Sequence, residues 1–200
     1  MGIDSKVRQG LLAGLCVTLR TVMLLVGLAL LLWGAQWAAM ASGLSVVRPN
    51  MVADSGMVTR IMKGDGTFSF VWWRSTLEAA LGFALIPKWR AKGRYDVVAV
   101  AVVVVSAVCM AFLVLLMAGA GTYGTCTYPG CWPNPWDLNA LAAPFFAGLA
   151  TLAVMACFAD RIPLWVRCLS PTAVYLIGTV LLVLVWDRWL LPFFAGPPPW

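Results

Sequence analysis

Four times along this chain, over residues 21–42, 96–118, 138–159 and 172–194, an apolar run leaves almost no polar side chain to face water. Each run has about the 20 residues that an α-helix needs to cross the ~30 Å hydrocarbon core of a bilayer. The valine-rich stretch VVAVAVVVVSAVCMAFLVLLMAGAG would suit a buried strand in water. In lipid it is expected to be helical, because an open strand leaves backbone N–H and C=O groups without partners. Composition agrees: 62% of residues are hydrophobic and 11% charged, with a mean hydropathy of +0.89, against roughly 25% charged residues in soluble domains. The expected class is an all-α polytopic membrane protein, a single integral membrane domain spanning residues 1–200 with short loops.

A fifth run, 68–87 within TFSFVWWRSTLEAALGFALIPKWR, holds Arg74 and Glu78 near its middle. Read as a span, it places these two charges four residues apart on one helical face. There they can pair with each other or dock the helix on a neighbour, with Trp72 and Trp73 near the outer interface. Read as an amphipathic helix lying in the interface, it has Arg74, Ser75 and Glu78 on its polar side and Trp73, Leu77, Ala80, Leu81, Ala84 and Leu85 on the other. Five spans are expected, with four plus one interfacial helix as the alternative.

Orientation follows from the basic residues, since cytoplasmic loops are enriched in Lys and Arg. With five spans and the N-terminus inside, Lys6, Arg8, Arg20, Lys88, Arg90, Lys92, Arg94, Arg161 and Arg167 are cytoplasmic, and Arg48, Arg60 and Lys63 external. The four-span alternative, with its N-terminus outside, counts almost as well. The tendency of the first span to dominate favours a cytoplasmic N-terminus and an external C-terminus, in a bacterial inner membrane. The first run ends in an A-x-A pattern at Ala39 to Ala41, but its basic lead is long for a signal peptide and its apolar part is the length of a span, so a retained anchor is expected. A net charge of +6 distributed beside apolar runs points to membrane orientation rather than nucleic acid.

Chemistry is sparse. There is no histidine, which removes the commonest general base, most triads and most zinc sites. No phosphate-binding loop, nucleophile elbow or dinucleotide fingerprint occurs, and the cysteine spacings fit no zinc pattern; neither metal nor cofactor is expected. Cys126 and Cys131, bracketing Pro129 and Gly130 on an external loop, are expected to form a disulfide. Asp187 with Arg188, and Asp160 with Arg161, read as anchors at the ends of spans. Small residues at Gly27, Gly34, Ala38 and Ala41, and at Ala143, Ala147, Gly148 and Thr151, form seams that let helices approach closely.

Three functions are compatible with this pattern. The first is a non-catalytic scaffold or accessory subunit of a larger inner-membrane assembly, such as a secretion, conjugation or respiratory complex, with membrane lipids and other membrane subunits or a second copy as partners. A small transporter or channel would use Arg74 and Glu78. A membrane thiol–disulfide oxidoreductase would use Cys126 and Cys131.

Overall fold

The computed structural model describes residues 3–44, 66–88, 96–123, 135–190 and 193. These residues form five α-helices and no strand: α1 (Ile3–Leu44), α2 (Gly66–Leu85), α3 (Val97–Tyr123), α4 (Pro135–Cys157) and α5 (Leu164–Val185). A 3-10 turn, Ile86–Lys88, closes α2, and a π-helical turn, Trp186–Leu190, follows α5. Stretches long and apolar enough to cross a bilayer occur in three helices: Gly10–Ala35 in α1, Val97–Leu116 in α3 and Leu164–Val185 in α5. A shorter apolar stretch, Ala142–Cys157, lies in α4.

Helix ends follow from local chemistry. Pro87 disfavours helical geometry at the residue before it, so α2 tightens into its 3-10 turn there. Asp96 caps α3: its Oδ1 accepts the Ala99 N–H at 3.1 Å and its carbonyl accepts the Val100 N–H at 3.0 Å. Proline at the first position of α4 costs nothing, since that N–H has no helical partner anyway. Pro163, extended at φ −63° and ψ 148°, opens α5. That helix therefore begins eight residues earlier than the expected run 172–194, taking in much of DRIPLWVRCLSP, which polarity alone marks as a loop.

Inside a bilayer, apolar burial between helices gains little over contact with lipid tails, so tight backbone approach and specific polar links decide the packing. The α1–α2 contact is such a tight backbone approach. A Cβ added at Gly34 would lie 2.5 Å from the Ala79 nitrogen and the Ser75 oxygen, and one at Gly82 would lie 2.6 Å from the Leu31 nitrogen and 2.7 Å from the Gly27 oxygen. Gly27 lies against Leu85 and Ile86. Position numbers rise along α1 as they fall along α2, so the two helices run antiparallel, backbone against backbone.

The other face of α2 enters the centre of the bundle. Phe83 is fully buried, with its ring centroid 5.8 Å from that of Phe145 in α4 and 5.3 Å from that of Tyr175 in α5. A Cβ at Gly148 would meet the Phe83 ring at 2.7 Å, so glycine makes room for the ring there. The Thr172 hydroxyl, which donates to the Cys168 carbonyl at 2.9 Å, lies 3.4 Å from the Ala80 carbonyl of α2, and Thr76 and Thr179 lie within hydrogen-bonding reach of the Tyr175 hydroxyl. Helix α4 bridges α3 and α5. The N-terminal part of α1 takes no share in this packing: every described side chain from Gly10 to Arg20 is exposed.

Candidate functional site

Two ion pairs organise the charged chemistry of the described residues. In α2, Arg74 Nε donates to Glu78 Oε1 at 2.8 Å, the i to i+4 geometry that one helical turn provides. The Arg74 side chain is 64% exposed and that of Glu78 is 20% exposed. The pair therefore lies toward the outer surface of α2, while Trp72, Ser75, Thr76, Ala79, Ala80 and Phe83 turn inward.

The second pair joins distant segments. Arg167, in the first turn of α5, donates from a terminal guanidinium nitrogen to Asp96 Oδ2 at 2.9 Å, with the side chains 5% and 2% exposed. The backbone N–H of Asp96 also donates to the Ala156 carbonyl, near the end of α4, at 3.2 Å. One aspartate thus ties together the start of α3, the end of α4 and the start of α5. Its carboxylate is well served, one oxygen by the Ala99 N–H and the other by Arg167. Arg167 is less so, because its buried Nε has no partner.

The sequence reading did not single out Asp96 or Arg167 as a pair, although one signal was present. A cation in the first turn of a helix opposes the helix dipole, so Arg167 needs a compensating anion from elsewhere. Asp96 lies at the end of a neighbouring span on the expected cytoplasmic side. Gly82 was also missed, because its role depends on which face of α2 meets α1.

The expected seam residues divide. Gly27, Gly34 and Gly148 sit in close interhelical contacts. Ala143 and Ala147 face outward, their inward neighbours being Ala142 and Phe145, and the Ala147 carbonyl accepts the Thr151 hydroxyl at 2.8 Å. Cys126 and Cys131 lie outside the described residues, as do the side chains of Ala38, Ala41, Asp187 and Arg188. Cys16, Cys109, Cys157 and Cys168 are not joined in a disulfide. Among the described residues no group of three or more Cys, Asp or Glu side chains is placed to hold a metal ion.

Three helices of spanning length and apolarity fit a multi-pass membrane protein. No family model, curated protein or solved structure matches the chain.

Proposed function

We propose that this chain is a non-catalytic subunit of a larger assembly in a bacterial inner membrane, spanning it five times with the N-terminus in the cytoplasm. The observation that carries this reading is the N-terminal half of α1. Helix α1 has 42 residues, about 63 Å at ~1.5 Å per residue, against a ~30 Å hydrocarbon core. Its packing against the rest of the bundle begins only near Leu24. Before that, Leu11, Leu12, Leu15, Val17 and Leu19 are exposed, and Gly10 and Gly14 have nothing within 4 Å of an added Cβ. Within the apolar stretch Gly10–Ala35 these side chains can face lipid, and a helix that runs past its own bundle also leaves a face open to a protein partner on that segment.

Replacing Gly10 and Gly14 with isoleucine meets no internal obstacle, so the variant should fold as the native chain does and lose its partner. Native-mass analysis after mild detergent extraction reads this. A native particle that is strictly monomeric, with no companion chain, contradicts the proposal.

The five-span reading is supported by the burial of α2 between α1 and α5, a position ill suited to a helix lying on the lipid headgroups. Labelling a cysteine placed at Gly64 tests it: reactivity from the external side is expected, and reactivity only from the cytoplasmic side favours the interfacial alternative. A transporter acting through Arg74 and Glu78 is the second reading. It predicts that Glu78→Gln abolishes flux at unchanged abundance, and it gains nothing from the outward placement of Arg74.

A further inference from the structure

We draw no further inference here: the strongest candidate, the exposed stripe of Gly10, Gly14 and Thr18 on the N-terminal part of α1, is a row of small residues on an unpartnered apolar helix face, and nothing in the structure shows whether lipid, a second copy or another chain covers it.

Discussion

Arg74–Glu78 and Asp96–Arg167 are ion pairs of almost the same length, 2.8 and 2.9 Å, with opposite relations to the fold. The first closes one turn of one helix with its arginine outside the bundle. The second spans 71 positions of sequence and is buried where three helices meet. Distance alone therefore says little about what an ion pair does. A pair exposed to water is hydrated and screened and contributes ~0–1 kcal/mol, whereas one on the lipid-facing side of a spanning helix holds a charge that costs ~2.5–3.5 kcal/mol there without its partner. A buried pair has given up hydration, and its geometry must offset that loss. Here the compensation is partial, since Arg167 Nε has no partner. The pair is thus better suited to fixing which helix ends meet than to adding net stability.

The largest effect is expected from Arg167→Leu, which leaves the Asp96 carboxylate buried without its counter-ion. A loss of ~3–5 kcal/mol is expected, read as denaturant unfolding in mixed micelles. A loss below ~1 kcal/mol would mean that water or another cation reaches Asp96 and that the two pairs are alike. Next in size, Asp96→Asn combined with Arg167→Leu removes both charges and keeps a side chain able to cap α3. This variant should lie within ~1–2 kcal/mol of the native protein. If the double variant is no better than Arg167→Leu alone, the two residues are not coupled.

Glu78→Gln separates the two readings of α2 in the same assay: a cost below ~1 kcal/mol is expected where water reaches the pair, as for an interfacial helix, and ~2.5–3.5 kcal/mol where α2 crosses the bilayer and Arg74 is left facing lipid. The smallest change is expected from salt. Where water reaches Arg74 and Glu78, raising it from roughly 0.05 to 0.5 M should remove most of their coupling, measured by a double-mutant cycle; the coupling between Asp96 and Arg167 should stay almost unchanged in either reading.

The same division runs through what could be read before the fold was seen. The helices were legible because each is a contiguous apolar run, and Arg74–Glu78 because four residues make a turn. Gly27 and Gly34 were legible as small residues spaced along one face. Gly82 was not, since its glycine character matters only where Leu31 of α1 comes to lie against it. The early start of α5 was hidden because Arg161 and Arg167 make 160–171 look like a solvated loop, whereas Arg167 is neutralised within the bundle.

Composition and run length by themselves determined that this chain is helical and apolar enough for a bilayer, because in lipid each backbone group must be satisfied close by in sequence. The tertiary structure alone decided that α2 turns Phe83 into the centre, that Asp96 meets Arg167, and that Ser106 is left without a partner. Those outcomes depend on how separate helices rotate and slide against one another, and that is set by contacts between residues far apart in the chain, which no local pattern encodes.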